Sequence, residues 1–179
     1  MSDTLPHMLP DWRPTLRGSL VELRPLGVDD WDALYAVAAD PLVWEQHPAR
    51  DRYQEPVFRE FFRVALETGS AFAVIDRATG RIIGSTRYHG HDAAQREIEI
   101  GWTFVARAYW GGRFNGEMKH LMLAHAFQFV DRVVFVIGAD NTRSRRAVER
   151  IGATRLDAHA RVTDGTVVYG ITAPTWRAR

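Results

Sequence analysis

Residues 96–115 read REIEIGWTFVARAYWGGRFN, and this stretch decides the fold. From Glu97 to Phe104 the residues alternate. Ile98, Ile100, Trp102 and Phe104 fall on one face of a predicted strand, and Glu97, Glu99 and Thr103 on the other. Gly111 and Gly112 then break the chain. Beyond them Phe114, Met118, Leu121, Met122, His125 and Phe129 recur at helical spacing. A strand that ends in a glycine turn and feeds a helix leaves backbone N–H groups free at the helix start. Those groups and the helix dipole suit an anion such as a phosphate. A carboxylate on the strand and an anion cradle just beyond it make two halves of one site.

Upstream, AFAVID (71–76) and RIIGSTRYHG (81–90) are predicted strands joined by a hairpin-length connection, 77–80, that ends in glycine. Before them, residues 19–25 read as a strand. Asp29 or Asp30 caps a helix that buries Trp31, Leu34, Tyr35 and Ala38 and ends near Pro41. A loop over 42–53 leads to a second helix, about 54–68, stopped by Gly69. Pro6, Pro10 and Pro14 make residues 1–17 an extended arm, with Leu9 and Trp12 as candidates to pack on the body. Downstream, the helix after the glycine pair runs over about 115–130. DRVVFVIGA (131–139) has the profile of a central strand buried on both faces. A helix follows from Asn141, its cap, to Ile151, with Gly152 as its stop. ATRLDAHARV and TVVYGIT read as a last antiparallel pair around Asp164-Gly165. The order β-α-α-β-β-β-α-β-α-β-β predicts a mixed α/β sheet of six to seven strands flanked by about four helices. All of it is expected in one domain, 18–179, behind the arm.

Composition limits the function classes. The chain has 179 residues, enough for one domain with a sizeable core. With 23 basic and 22 acidic residues the formal net charge is +1, which gives no global case for nucleic acid or an acidic membrane surface. There is no cysteine, so disulfides, thiolate nucleophiles and cysteine–metal sites are excluded. No basic start precedes an apolar run, so no signal peptide is expected, and no apolar stretch approaches the roughly 20 residues of a membrane helix. The expected location is the cytoplasm.

Four groups of residues are candidates for chemistry. Glu97 and Glu99 share a strand face. The plain alternative is a solvated edge, but a glutamate facing a cleft has its pKa raised by burial and can take a proton from an ammonium. Glu99, deeper in the strand, is the better base. Gly111-Gly112 can be a mere tight turn, yet Arg113 adds a guanidinium suited to a pyrophosphate. Asn141 to Ser144 can be a simple cap and polar turn, or can place the Asn141 side chain and the Ser144 hydroxyl at the strand-end cleft where ligands of open α/β sheets bind. Arg143, Arg146 and Arg150 share a helix face that is either solvated or reaches a nucleotide phosphate. His89-x-His91-Asp92 lacks a third histidine at matching spacing and there is no HExxH, so no metal is expected. Nor are there G-x-S-x-G, G-x-x-x-x-G-K-[ST] or G-x-G-x-x-G motifs.

Three segments together carry a family resemblance: E-I-G-W at 99–102, N-x-E-x-K at 115–119, and N-x-R-S-x-R-A-x-E-x-x-G-A at 141–153. The chain resembles the GNAT superfamily of acyl-CoA-dependent N-acetyltransferases, and within it the branch that includes RimJ and RimL, which acetylate protein N-termini. The resemblance runs from LVELRPLGVDDWDALYAV to VVYGIT. It implies the GNAT fold, acetyl-CoA as cosubstrate with no metal, and an amine acceptor. It implies that Trp102, Thr103, Phe104 and Val105 splay from the neighbouring strand to pair with pantetheine. Gly111, Gly112, Arg113, Phe114, Asn115 and Gly116 would hold the pyrophosphate, with Asn141 and Arg146 also on the cofactor. Glu99 would be the base and Ser144 the acid that protonates the leaving thiolate. The family's phosphate loop ordinarily has Gln or Arg where Trp110 stands, glycine at Arg113 and a small residue at Asn115. A non-glycine backbone approaches a phosphate less closely.

The function expected is therefore acetyl transfer to a primary amine, foremost a peptide N-terminus. The alternatives are a small-molecule amine, in a pocket shaped by Phe58, Phe61, Phe62 and the loop 42–53, and a non-catalytic acyl-CoA-binding module. An acidic pocket would point to a polycation and a narrow slot to a peptide terminus. The oligomeric state, a homodimer among the options, is left open.

Overall fold

The computed structural model describes residues 10–178. Its elements in chain order are β1 (Leu16–Arg17), β2 (Val21–Pro25), α1 (Trp31–Ala38), α2 (Glu55–Thr68), β3 (Ala71–Asp76), β4 (Ile82–Asp92), β5 (Glu97–Val105), α3 (Arg113–Ala126), β6 (Arg132–Gly138), α4 (Thr142–Arg150), β7 (Thr154–Arg155), β8 (Thr166–Thr172) and α5 (Ala173–Arg177). The strands form one sheet in the order β1-β2-β3-β4-β5-β6-β8-β7. Every adjacent pair is antiparallel except β5 and β6, which run parallel and need the crossover that α3 provides. The mixed sheet flanked by helices is the architecture expected from the pattern. β1, which falls in the expected arm, is the one strand beyond those of the predicted order and brings the number to eight.

Two apolar clusters sandwich the sheet. On one face Met118, Met122, Leu123 and Ala126 of α3 and Val148 of α4 pack on Ile98, Ile100, Val133, Phe135 and Ile137. On the other, Leu34 of α1 and Phe58, Phe61 and Phe62 of α2 pack with Ala71, Ala73 and Phe104. The period-2 and helical patterns of these segments required such a division.

The alternation through β5 does not run unbroken. Ser85 of β4 is opposite Phe104, and Arg87 is opposite Gly101, so Trp102 and Thr103 together face Thr86 alone. Trp102 takes up the extra residue with φ of +50°. A bulge of this kind reverses the parity of every later side chain. Ile98 and Ile100 therefore face α3, whereas Phe104 turns to the α1–α2 side, where Trp102 also packs. Thr103 returns toward α3, its hydroxyl 2.8 Å from that of Thr86. Close approach at the bulge requires glycine opposite: a Cβ on Gly84 would lie 2.0 Å from the Phe104 carbonyl oxygen.

Other boundaries differ from the sequence pattern for local reasons. The helix after the glycine pair begins at Arg113, two residues before the expected 115, and ends at Ala126. Asp30 precedes α1 but caps nothing there. Its carboxylate accepts from Gly27 N (2.8 Å) and from both terminal nitrogens of Arg24. The expected strand ATRLDAHARV is paired only at Thr154 and Arg155. After Leu156 the chain turns on itself through His159 N→Leu156 O and Val162 N→His159 O bonds, leaving the sheet. Helix α5 follows β8, with Pro174 in its first turn and Thr172 as its cap. Of the expected arm, residues 1–9, Leu9 among them, lie outside the described residues. Trp12 packs against Tyr88, His125 and Phe129.

Glu117, the acid of the N-x-E-x-K run, ties α3 to the start of β2. Its carboxylate accepts from Ser19 N, Ser19 Oγ, Leu20 N and Val21 N at 2.5–2.8 Å. Burial opposes the charge, but the Ser19 hydroxyl and the backbone donors outweigh it and bring the pKa down from 4.5 to about 2. The folded value is depressed, so this contribution to stability is complete above pH 4.5 and is lost as the pH falls through about 2. Glu117→Gln, which faces three N–H donors with a half-donor amide, is expected to lower unfolding stability by about 1–3 kcal/mol. Urea titrations at pH 7 and pH 3 measure this, and the deficit should be smaller at pH 3.

Candidate active site

β5 and β6 pair only from Glu97 to Glu99 against Arg132 to Val134. Beyond that point β6 keeps its ladder with β8 as far as Gly138, while β5 stays with β4 through the bulge. The strands therefore part. The opening between residues 100–105 and 135–138 is a cleft of about 620 Å³ that extends to the starts of α3 and α4.

Most of the expected residues meet in this cleft. Trp102, Thr103, Phe104 and Val105 form one wall, and Gly111, Gly112, Asn115 and Gly116 lie at the mouth with Asn141, Ser144 and Arg146. Gly111 makes the turn with φ of +69°, and no side chain caps α3. Its first-turn N–H groups have no partner within the helix. Asn141 is buried and caps α4, its Oδ1 accepting from Ser144 N at 3.1 Å. Arg113 and Phe114 are not brought into the cleft. Arg113 is exposed, and Phe114 packs edge-on against Tyr109 at 4.8 Å.

Arg143, Arg146 and Arg150 of α4 all line the cleft, and Arg143 also braces its rim. The Arg143 guanidinium stacks 3.7 Å over Trp110 and donates to Val43 O. Trp110 in turn donates Nε1–H to Val105 O at 2.8 Å. Lys119, buried in α3, also lines the cleft, 5.1 Å over the Phe135 ring. Burial lowers its ammonium pKa to about 8.

Glu99 lies not in this cleft but in an adjoining pocket of about 340 Å³, with His47, Arg52, His89 and Arg161. His47, Trp102 and Val136 border both spaces, so the two meet there. Glu99 is 6% exposed and accepts from Arg161 Nη1 at 3.0 Å. Burial pushes its carboxyl above the ordinary value, while the Arg161 guanidinium and, more weakly, Arg87 pull it back. Glu97, two residues earlier on the same face, touches neither space. Its oxygens are held by His159 Nε2 at 3.1 Å and by Arg132 and Arg161 at 3.5 and 3.7 Å. The His159 Nδ1 accepts the Arg161 N–H, which leaves Nε2 protonated and donating to Glu97.

The sequence pattern did not single out Arg52, Arg87, His159 or Arg161. Arg87 and His89 were legible as two polar residues at i and i+2 of a strand, hence on one face. His159 and Arg161 carried no signal, because their segment read as a strand. Phe61 lies under the arginines, 4.7 Å from Arg52 and 5.1 Å from Arg87, while Phe58 and Phe62 belong to the core. His89 and His91 separate: His89 meets Trp102 and His91 meets Trp12. Among the described residues no three His, Asp or Glu side chains are grouped to hold a metal.

Solved structures share this architecture. A GCN5-related N-acetyltransferase from Brucella melitensis superposes with a TM-score of 0.80 at 24% identity, covering 93% of this chain and 81% of that one. An acetyltransferase of the GNAT family from Bacillus anthracis gives 0.74 at 21%, covering 89% and 98%. RimJ of Mycobacterium smegmatis, in complex with CoA-disulfide, gives 0.67 at 22%, covering 93% and 91%. No curated protein is significantly similar in sequence. The model of the acetyltransferase (GNAT) domain matches residues 21–154, a span that holds the parted strands, the glycine turn and both helices at the cleft mouth, and the chain belongs to that family.

Proposed function

We propose that the chain transfers an acetyl group from acetyl-CoA to a primary amine, foremost the α-amine of a protein or peptide N-terminus. The observation that carries this is a buried carboxylate, Glu99, lining a pocket that meets a long cleft at His47, Trp102 and Val136. The cleft suits an extended thioester carrier. Parted strands leave backbone donors and acceptors along its walls, and the uncapped start of α3 suits the pyrophosphate. Arg113 in place of the family's glycine does not obstruct this, because its side chain is exposed and outside the cleft. Trp102 to Val105 would hold the pantetheine arm, Gly111, Gly112, Asn115 and Gly116 the phosphates, and Asn141 and Arg146 the far wall. Arg113 and Phe114 would contribute only their backbone. The complex of the M. smegmatis homologue with CoA-disulfide supports a CoA ligand in this fold, and that protein's RimJ identity supports the N-terminal acceptor.

The acceptor amine is cationic at neutral pH and must lose a proton before it attacks. Glu99, raised by burial, takes that proton directly or through a water. Glu97 is held by three basic groups and is the weaker candidate. A C–N bond forms as the C–S bond breaks. Strand N–H groups stabilise the charge on the carbonyl oxygen, and the Ser144 hydroxyl donates to the departing sulfur. Holding the two reactants in line supplies up to about 7–11 kcal/mol of the barrier reduction. Acetylation of a small-molecule amine is the second reading, favoured by the modest size of the pocket.

Purified protein should bind acetyl-CoA in a calorimeter and release CoA with an N-terminal peptide panel. Binding without turnover on any amine would instead favour a carrier-binding module. Glu99→Gln is expected to lower kcat by about 100-fold or more with acetyl-CoA affinity unchanged. The wild-type rate should rise with pH through a Glu99 ionisation above 4.5, since only the carboxylate accepts a proton, and the variant should lose that limb. Ser144→Ala is expected to slow turnover by about 100-fold without raising KM for acetyl-CoA, the low end of general-acid effects. An unaltered kcat removes Ser144 from the acid role.

A further inference from the structure

The pocket beside Glu99 carries more positive charge than proton transfer uses. The guanidinium carbons of Arg52 and Arg87 stand 4.7 and 5.1 Å from the Phe61 ring centroid, and that of Arg87 also 4.8 Å from Trp102. Arg87 is only 2% exposed. Among the described residues its guanidinium has no hydrogen bond and no ion pair, yet no fully enclosed polar side-chain atom lacks a partner. Its charge stands behind Trp102, which lines the pocket together with Arg52 and Arg161. Glu99 acts on it only through space, because the hydrogen bond of that carboxylate goes to Arg161. Aromatic faces attract a guanidinium but accept its N–H groups poorly.

His47 gives a second, independent sign. Its Nδ1 accepts the Ala49 N–H at 2.9 Å, so the proton of the neutral ring sits on Nε2. Burial and the charge of Arg52 lower the pKa to about 4, which keeps the ring neutral. Nε2 then points its N–H toward Arg52 Nη1, 3.4 Å away. Two donors face each other with no acceptor between them. An oxygen placed there would satisfy both.

We propose that this pocket binds an anionic group of the acceptor, a carboxylate or phosphate a few bonds from the amine, through Arg52 and the Nε2–H of His47, with the charge of Arg87 behind them. The ammonium would lie toward Glu99 and the anion toward the arginines, so acceptor and pocket match in dipole as well as charge. Polyamines and other polycations are disfavoured by the same cations. The acceptor assignment rests on the acetyl-transfer reading above, whereas the anion site stands on its own geometry.

Two measurements separate these. In the first, wild type with saturating acetyl-CoA is assayed on matched acceptors: phenylalanine against phenylalaninamide, phosphoethanolamine against ethanolamine, peptides with aspartate against asparagine at the second position, and spermidine. The anionic member of at least one pair should show kcat/KM at least about tenfold higher, and which pair does so identifies carboxylate, phosphate or peptide as the source. Arg52→Gln should erase that preference. Turnover that favours the amides or spermidine overturns the proposal while leaving acetyl transfer intact. In the second, acetyl-CoA-loaded protein is titrated calorimetrically with N-acetylglycine, N-acetylglycinamide and inorganic phosphate, none of which has an amine to react. An anion should bind more tightly than the amide, and Arg52→Gln and His47→Phe should each weaken it by about tenfold, with folding checked by circular dichroism. Equal binding of anion and amide, or no effect of either variant, overturns the anion site whatever the turnover. Anion binding without turnover on any amine sustains the site and overturns the acetyl-transfer reading.

Discussion

The separation of β5 from β6 after the Glu99–Val134 pair governs the rest of the molecule. Each strand has a second neighbour that holds it: β4 for β5 and β8 for β6. Neither can follow the other once the bulge at Trp102 redirects β5 along β4. A bulge sharpens local twist and bends its strand. Here the bend, at Trp102, falls just beyond the last parallel pair at Glu99, and the crossover helix starts at Arg113, after one short loop. One inserted residue thus yields a cleft, a wall of unpaired strand edges and a helix start aimed at the cleft mouth. The same residue reverses side-chain parity, which moves Phe104 to the α1–α2 face and supports the aromatic floor of the second pocket.

Where the strands part, the electrostatics are balanced rather than extreme. Burying Glu97 and Glu99 side by side would be unfavourable without cations. The loop after β7 supplies them. It leaves the sheet at Leu156 and returns His159 to Glu97 and Arg161 to both acids. Arg161 also donates to Gly90 O, so it spans β4, β5 and the loop. Glu97 is fully engaged and acts as the anchor of the loop. Glu99 has one strong partner and an open side toward the pocket, which suits a group that must gain and lose a proton. The two glutamates are equivalent by position in the strand and differ by what reaches them from elsewhere.

That difference marks the limit of what could be read from the residues. Element types and order followed from local patterns: alternation in 97–104, helical spacing after Gly112, the apolar run 131–139 and the Asn141 cap. The cleft residues followed from those elements, because a turn and a helix start are local features. The bulge was not legible, since Trp102 has no sequence mark of a left-handed residue, and extrapolated alternation put Phe104 on the wrong face. The basic pocket was not legible either. Its cations come from residue 52 in one loop and residue 161 in another, with residue 87 of a strand behind Trp102, and only tertiary packing brings them together. The segment 156–162 read as part of a strand because polar and apolar residues alternate in it. The ion pairs to Glu97 and Glu99 outweighed that weak preference.

The departures from the family's usual sequence at the glycine turn show the same interplay of local and distant constraints. A glycine at the position of Arg113 would let a ligand reach the backbone from any side, but only the cleft side matters, and the Arg113 side chain leaves on the other. Gly111 retains the one left-handed turn that the path needs, with nothing within 4 Å of where a Cβ would stand. Trp110 replaces a polar loop residue with a brace. Its indole N–H satisfies the Val105 carbonyl at the end of β5, and its face receives Arg143 from α4, which itself holds Val43 in the loop before α2. The end of the bent strand, the start of the helix beyond the cleft and the loop that carries His47 and Arg52 are thereby joined through one side chain. A loop with fewer glycines loses backbone freedom. In this chain that loss is matched by a fixed mouth, which presents the α3 amides in one arrangement and holds the pocket loop against the same wall.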